Sequence, residues 1–222
     1  MKNTSIMKAI VLKEAGNVEN LEYVELKKTT INDGEVLIKV KAISINPVDI
    51  KSRAGKGVYG RIKTENPLIL GWDISGIVSE VGEDVKNLKK GDRVVVEPLF
   101  KNPESPFITN GEYNLSEPLG FVGLTSNGGF AKYTVVEDYM VHKIPDSMSF
   151  EQGALVEPAD VAVYAVLQSG LKIGQSCLIY GAGPIGLLCV QAAIAAGATE
   201  VIVVDISEKR LEKAKEIGAT KI

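Results

Sequence analysis

Hydrophobic and polar residues follow two different patterns along this chain, and the pattern changes near residue 147. Before that point, short β-branched runs alternate with glycine, proline and asparagine, which is typical of strands joined by turns. We predict strands at residues 7–12, 35–42, 74–81, 93–98 and 131–136. Many short strands in sequence favour a compact antiparallel barrel for residues 1–147.

Residues 148–222 instead alternate apolar strands with helices, the order that gives a parallel sheet in an α/β fold. The predicted elements are a helical stretch at 150–170, strands at 176–180 and 200–204, and helices at 184–196 and 207–217. Ser207 suits the N-cap of the last helix, and Gly218 lies just past its end. Two strands are fewer than a complete doubly wound sheet needs, so we expect a truncated domain, with a third strand opening at Lys221.

The composition of the chain limits the kinds of binding partner that we expect. The chain has 222 residues, of which 45% are hydrophobic and 24% charged, and its formal net charge is −3. This balance gives no reason to expect nucleic acid or an anionic membrane as a partner. The longest apolar run, 185–198, is too short to span a bilayer, and the polar N-terminus does not resemble a signal peptide. Cys177 and Cys189 form no disulfide framework, so a cytoplasmic protein is expected.

A glycine-rich turn between the strand at 176–180 and the next helix carries the strongest functional signal. It has the pattern G-x-G-x-x-G, with Gly181, Ala182, Gly183, Pro184, Ile185 and Gly186. In this pattern the first glycine makes a tight turn, the second lets the backbone approach a pyrophosphate, and the third allows close helix packing. The helix start offers unpaired N–H groups and a positive dipole end to phosphates. Pro184 suits that position because its missing N–H costs nothing there.

An acidic residue, Asp205, follows the second strand about twenty residues on, as a dinucleotide site requires. Its carboxylate would accept hydrogen bonds from the adenosine ribose hydroxyls and repel a 2′-phosphate, which predicts NAD(H) as the cofactor rather than NADP(H). The alternative is that Asp205 is only a turn residue before the last helix. Arg210 would flank the adenine or approach a phosphate, or it is an exposed helical arginine without a function.

Further motifs precede the glycine turn in a characteristic order. They are G-W-D-I-S-G at 71–76, K-G-D-R-V at 90–94 and I-P-D at 144–146. Together with the glycine turn, they resemble the medium-chain dehydrogenase/reductases, the superfamily of alcohol dehydrogenases and quinone oxidoreductases. The resemblance implies a GroES-like β-barrel domain followed by a Rossmann domain, here incomplete.

Two branches of that superfamily contribute to the resemblance. Up to about Asp92 the chain is similar to zinc-independent quinone or enone reductases, chiefly in S-I-N-P-V-D at 44–49. The rest is similar to zinc-dependent butanediol and other polyol dehydrogenases, in the segments 111–115, 119–124 and 151–158. The chain is therefore a natural mosaic or the product of an assembled gene.

The resemblance also implies where the family's zinc ligands would fall. The catalytic ligands correspond to Asn46, Trp72, Asp73 and Glu157, and the hydroxyl of the proton relay corresponds to Val48. The cysteines of the structural zinc loop correspond to Asn102, Ser105, Ile108 and Ser116. Zinc prefers thiolate, imidazole and carboxylate donors converging on one point, so we expect no metal site.

Without zinc, alcohol oxidation lacks the Lewis acid that acidifies the hydroxyl. Our first hypothesis is therefore a zinc-independent NAD(H)-dependent enone or quinone reductase acting on a small molecule. Hydride addition to a conjugated double bond needs only hydrogen-bond donors and a proton for the enolate. The resemblance places Asn46 and Asp49 near the nicotinamide as candidate catalytic residues. Equally, they form a structural Asn-Pro turn with an aspartate cap.

Two other hypotheses stay open. The chain is a degenerate or truncated butanediol or polyol dehydrogenase fragment without catalysis, which retains at most weak adenosine binding. Alternatively, it is a subunit that completes its sheet with a second copy or another chain, because an unfinished sheet leaves an open edge. His142, the single histidine, is expected to be structural.

Overall fold

The computed structural model describes residues 6–57 and 67–222, and the chain divides into two compact units between Ala154 and Leu155. The first unit contains strands β1 (Ile6–Leu12), β2 (Leu21–Lys27), β3 (Glu35–Ile43), β4 (Ile74–Val81), β5 (Arg93–Val96), β6 (Tyr133–Glu137) and β7 (Val141–Lys143), with the short helices α1 (Pro47–Arg53), α2 (Pro106–Thr109) and α3 (Phe150–Gly153). Single 3-10 turns lie at Val18–Asn20, Tyr113–Leu115 and Asp138–Met140. The second unit contains α4 (Val156–Gln168), β8 (Ser176–Tyr180), α5 (Pro184–Ala195), β9 (Glu200–Val204) and α6 (Glu208–Glu216).

Antiparallel pairing organises the first unit. β1 pairs with β2, and a five-stranded sheet has the order β6-β3-β4-β5-β7. Register shifts in β3 opposite β4 bend the strand, because extra residues locally disrupt the ladder. Alternating apolar side chains of this sheet, among them Val36, Ile38, Val78 and Val94, form a buried core. The GroES-like fold expected from the resemblance is confirmed.

Several features of the fold differ from the expected pattern. Strand β2 was not predicted, because its residues alternate between apolar and charged types and are only half-buried or exposed. The expected helical stretch at 150–170 is two helices: α3 ends at Gly153, and α4 begins at Val156. A Cβ on Gly153 would lie 2.5 Å from Ser75 Oγ, so this glycine is needed for close packing of α3 on β4.

The two compact units divide seven residues after the expected boundary at residue 147. The reason is α3, which packs on β3 and β4. Its start is fixed by a capping box, in which Ser149 Oγ accepts the Gln152 N–H at 3.1 Å and Gln152 Oε1 accepts the Ser149 N–H at 2.8 Å.

The second unit is built on a parallel pair of strands. β8 and β9 pair from Ser176 with Glu200 to Tyr180 with Val204, and a bridge from Ile202 to Lys221 begins the third strand that the sequence analysis expected. Small and β-branched residues fill the core between the strands and helices: Val190, Ala193, Val201, Val203 and Ala214.

Apolar residues remain exposed around this pair of strands. Leu178, Tyr180, Val204 and Ile206 are large hydrophobic residues in this group. Within the described part of the chain, β8 pairs with β9 alone. Self-association through this edge, or pairing with another chain, stays a prediction. Among the described residues, no helix is long and apolar enough to cross a membrane.

Candidate dinucleotide site

The glycine turn lies where β8 ends, and two of its glycines are required by the backbone itself. Gly181 has φ +96°, a conformation that side chains disfavour, and its N–H donates to the Val204 carbonyl at 2.7 Å. A Cβ on Gly186 would lie 1.8 Å from the Gly181 carbonyl oxygen. No side chain can occupy that space, so Gly186 fixes how closely α5 approaches the turn.

Gly183 differs from the other two glycines. Its φ of −73° is open to any residue, and a Cβ there would meet no described atom within 4 Å. The packing of the chain therefore gives no reason for a glycine at this position. Close approach of a ligand to the backbone would give one, as the pyrophosphate does at a dinucleotide site of this pattern.

The start of α5 provides the donors for such a ligand. Gly183 is the N-cap, Pro184 is the first helical residue, and no side chain caps the helix. The first intrahelical bond is donated by Leu187 to the Gly183 carbonyl at 2.9 Å. The N–H groups of Ile185 and Gly186 precede it and have no partner within the helix, so they are available to an anion at the positive end of the dipole.

Asp205 lies beside this turn and contacts it directly. Its Oδ2 accepts the Ala182 N–H at 2.7 Å, and its Oδ1 accepts the Ser207 N–H at 2.8 Å. The Ala182 N–H, followed by the Ser207 N–H, holds the pKa of this carboxyl below its usual value, so the group is ionised at neutral pH. Arg210 Nη1 is 3.8 Å from Asp205 Oδ2 on a half-exposed side chain.

Both interpretations of Asp205 gain support from these contacts. The carboxylate lies at the glycine turn, as a ribose ligand must, and it also fixes the turn before α6. Ser207 is the N-cap residue of α6 as predicted, but its side chain makes no capping hydrogen bond. The sequence analysis missed the amide of Ala182, because a backbone donor leaves no mark in the residue pattern.

In the first unit, Asn46 and Asp49 form the start of α1. Asn46 Oδ1 accepts the Val48 N–H at 3.0 Å, while Asp49 Oδ2 accepts the Asn46 N–H at 2.9 Å, which makes a capping box ahead of Pro47. The structural alternative for these two residues is therefore the one that their contacts support. Asp49 is buried, and burial raises its pKa to about 6, with the charge of Asp73 adding to the shift.

A second buried carboxylate, Asp73, is hydrogen-bonded to Asn46, another position implied for a zinc ligand. Asn46 Nδ2 donates to Asp73 Oδ2 at 2.8 Å, and Ser44 Oγ donates to the same oxygen. The other oxygen of Asp73 is buried without a hydrogen-bond partner among the described atoms. The ring of Trp72 packs on Phe121 with their centroids 5.2 Å apart.

These residues do not fit a catalytic zinc. An indole offers no lone pair, and the Asn46 amide uses its oxygen for the helix cap and its nitrogen for Asp73. Val48 has no hydroxyl for a relay, and the one glutamate of the set, Glu157 on α4, does not make a site by itself. Within the described ranges, no cluster of three histidine, cysteine, aspartate or glutamate side chains could hold a metal ion.

The residues implied for the structural zinc loop do not fit a zinc ion either. Asn102 Oδ1 accepts the Glu104 N–H at 3.1 Å, and its Nδ2 donates to the Glu117 carbonyl. Ser105 and Ser116 are buried hydroxyls, and Ile108 lies in α2. Hydroxyl, amide and alkyl groups are not zinc donors of the kind a structural site uses.

Comparison with known proteins identifies the class. Residues 32–146 match the family "Alcohol dehydrogenase GroES-like domain", and residues 184–222 match "Zinc-binding dehydrogenase". The chain belongs to the medium-chain dehydrogenase/reductase superfamily of alcohol dehydrogenases, as its motifs indicated.

Two individual relatives indicate which members of the superfamily the chain is similar to in sequence. The chain is 44% identical to the (R,R)-butanediol dehydrogenase of Bacillus subtilis over 207 residues, 90% of this chain and 58% of the relative. It is 40% identical to the D-xylulose reductase of Saccharomyces cerevisiae, covering 100% of this chain and 62% of the relative. The chain thus spans about three fifths of the length of these relatives.

A solved structure from Sinorhizobium meliloti, of a protein described as a zinc-binding dehydrogenase and bound to NADP, superimposes with a TM-score of 0.89 at 32% identity. It covers 98% of this chain and 61% of that one. The first of the two relatives is named for butanediol and the second for D-xylulose. They favour the polyol dehydrogenase alternative over the enone or quinone reductase that our sequence analysis placed first, because they match across both units and not only beyond Asp92.

The raised pKa of Asp49 predicts that stability depends on pH. The usual value is 3.8 and the folded value about 6, so the folded state favours the neutral carboxyl. That stabilisation is complete below the unfolded pKa and is lost as pH rises through about 6, at a cost of up to about 3 kcal/mol. Thermal melting of the chain should therefore give a higher Tm at pH 5 than at pH 7.5.

The matched variant is Asp49→Asn, which keeps an oxygen to accept the Asn46 N–H but cannot ionise. Its Tm should fall less between the two pH values, because residue 49 no longer ionises in the variant. Parallel curves for the two proteins would contradict the role assigned to Asp49.

Proposed function

We propose that the second unit binds NAD(H) at Gly181–Gly186, and that the chain is a polyol-dehydrogenase relative without zinc-assisted alcohol oxidation. The observation that carries the first part is Gly183, a glycine that neither its backbone angles nor its neighbours require. The first part is also supported by the family match, since residues 184–222 align with a dehydrogenase family.

The residues around the turn have distinct parts in this proposal. The backbone at Gly183 lies against the pyrophosphate, and the N–H groups of Ile185 and Gly186 donate to it. Asp205 offers its remaining lone pairs to the ribose hydroxyls, and Arg210 lies beside the same ribose. NADH, when bound, supplies the hydride. The ionised Asp205 favours NADH, because a 2′-phosphate beside it would be repelled.

The second part of the proposal rests on the donor set of the first unit. Asn46, Trp72 and Asp73 stand where zinc ligands are expected, and two of them are hydrogen-bonded to each other. Butanediol and xylulose chemistry belongs to the relatives and is not assigned to this chain. The chain is instead proposed to be catalytically silent toward alcohols.

A second candidate is metal-free reduction of enones or quinones. One observation favours it: Asp49 has a pKa of about 6 and can therefore hold or release a proton near neutral pH. A conjugated ketone accepting hydride needs such a proton at its α-carbon. The contacts of Asp49 with the Asn46 N–H weigh against this role, since they already give the carboxylate a structural purpose.

Gly183→Ala tests the dinucleotide site. We expect the variant to melt within a few degrees of the wild type, because the new methyl meets no described atom. Its affinity for NADH should fall at least about tenfold, since the methyl occupies the space proposed for the pyrophosphate. Isothermal titration calorimetry of the wild-type and variant chains provides the measurement.

Gly91→Ala is the control for that experiment. Gly91 lies in a turn of the first unit, and a Cβ there also meets no described atom within 4 Å, although its φ of +98° makes the change strained. Its NADH affinity should equal that of the wild type. Unchanged affinity in Gly183→Ala would remove the main support for the proposed site.

Elemental analysis and two assays test the absence of zinc chemistry. We expect far less than one zinc per purified chain and no oxidation of butanediol with NAD, because the matching positions lack zinc donors. Reduction of a simple quinone with NADH is measured in parallel. Turnover there would establish the second candidate, whereas near-stoichiometric zinc with butanediol oxidation would overturn the proposal.

A further inference from the structure

We propose that Asp205 is a positioning residue for the phosphate-binding turn, in addition to any contact it makes with ribose. This inference rests on the proposed function, because it concerns how the same site recognises its ligand. The expected consequence is that removing the carboxylate weakens diphosphate binding even when the ligand has no ribose hydroxyl to offer.

The geometry of the turn supports this role. Ala182 lies between Gly181 and Gly183, so the direction of its N–H is linked to the peptide planes on both sides. Asp205 Oδ2 accepts that N–H at 2.7 Å across 23 residues of sequence. The Ala182 side chain is 1% exposed and packs in the core of the unit, which holds the residue from its other side.

The same carboxylate also fixes the segment that follows β9. Its Oδ1 accepts the Ser207 N–H at 2.8 Å, at the N-cap of α6. One side chain therefore holds two backbone segments: the turn proposed to bind the pyrophosphate and the segment beside the proposed ribose position. Charge-assisted hydrogen bonds of this kind are short and about twice as strong as neutral ones.

Ribose contact and turn positioning do not compete for the same lone pairs. An ionised carboxylate accepts about four hydrogen bonds, and the described contacts with Ala182 and Ser207 use one on each oxygen. These two hydrogen bonds therefore leave capacity on the carboxylate for a ribose hydroxyl. Ribose recognition and phosphate recognition are then coupled, because both depend on one carboxylate.

Two ligands separate this role from simple ribose recognition. ADP carries the diphosphate and both ribose hydroxyls, whereas 2′,3′-dideoxy-ADP keeps the diphosphate and lacks both hydroxyls. If Asp205 acted only on ribose, Asp205→Ala would weaken ADP and leave dideoxy-ADP unchanged. If Asp205 positions the turn, Asp205→Ala also weakens dideoxy-ADP, by about tenfold for one lost charge-assisted bond.

The experiment is calorimetric titration of the full 222-residue chain with each nucleotide. Glu208→Ala, in the first turn of α6, is the control for the change of charge and should bind dideoxy-ADP as the wild type does. Melting curves accompany each variant. If Asp205→Ala fails to fold, Asp205→Asn replaces it: the amide keeps one acceptor oxygen but cannot accept both N–H groups in the same way.

The outcomes distinguish the two levels of the proposal. Weaker dideoxy-ADP binding in the Asp205 variant, with normal binding in Glu208→Ala, supports the positioning role. Equal dideoxy-ADP binding in wild type and Asp205 variant overturns that role and leaves the dinucleotide site in place. A wild-type chain that binds neither nucleotide overturns the proposed function itself.

Discussion

The approach of Gly186 to the carbonyl of Gly181 determines how β8 is joined to α5. A Cβ on Gly186 would lie 1.8 Å from the Gly181 carbonyl oxygen, so only a glycine at position 186 allows α5 to lie this close to the turn. That approach places the helix start directly after the strand and brings Gly183 to its N-cap. The turn also lies beside Asp205, because the Gly181 N–H donates a hydrogen bond to the carbonyl of Val204, and Val204 directly precedes Asp205.

The first unit has a different constraint, the buried carboxylate of Asp73. It is 1% exposed, and burying a charge is costly unless hydrogen bonds compensate. Asn46 and Ser44 supply two donors to one of its oxygens. The loop before α1 is thereby joined to the residues before β4 by side-chain hydrogen bonds. The resemblance implies zinc ligands at Asn46 and Asp73, and in this chain these two side chains are hydrogen-bonded to each other.

Local patterns in the sequence predicted much of this fold. The β-branched runs of β3 and β4 and the glycine turn before α5 were predicted, because strand burial and turn conformation depend on the residues themselves. The strand β2 was missed, since its apolar residues alternate with charges on a half-buried face. The break at residues 154 and 155 was missed because the apolar spacing continues across it.

The contacts that define the two sites lay beyond such reasoning. Asn46 and Asp73 are 27 residues apart, and Asp205 and Ala182 are 23 apart, so only the folded chain brings each pair together. The residue types gave a partial signal: an acid after the second strand indicated Asp205, and an aspartate at a ligand position drew attention to Asp73. Neither pattern indicated which backbone or amide group would be the partner.

The central claim, that an adenine dinucleotide binds at the glycine turn, is tested most directly by nuclear magnetic resonance. NADH is titrated into ¹⁵N-labelled chain while the backbone amide signals are followed. The account predicts that the amides of Gly183, Ile185 and Gly186 shift most and saturate together, with Ala182 close behind. Saturable shifts confined to other residues, or no shifts at all, would contradict it.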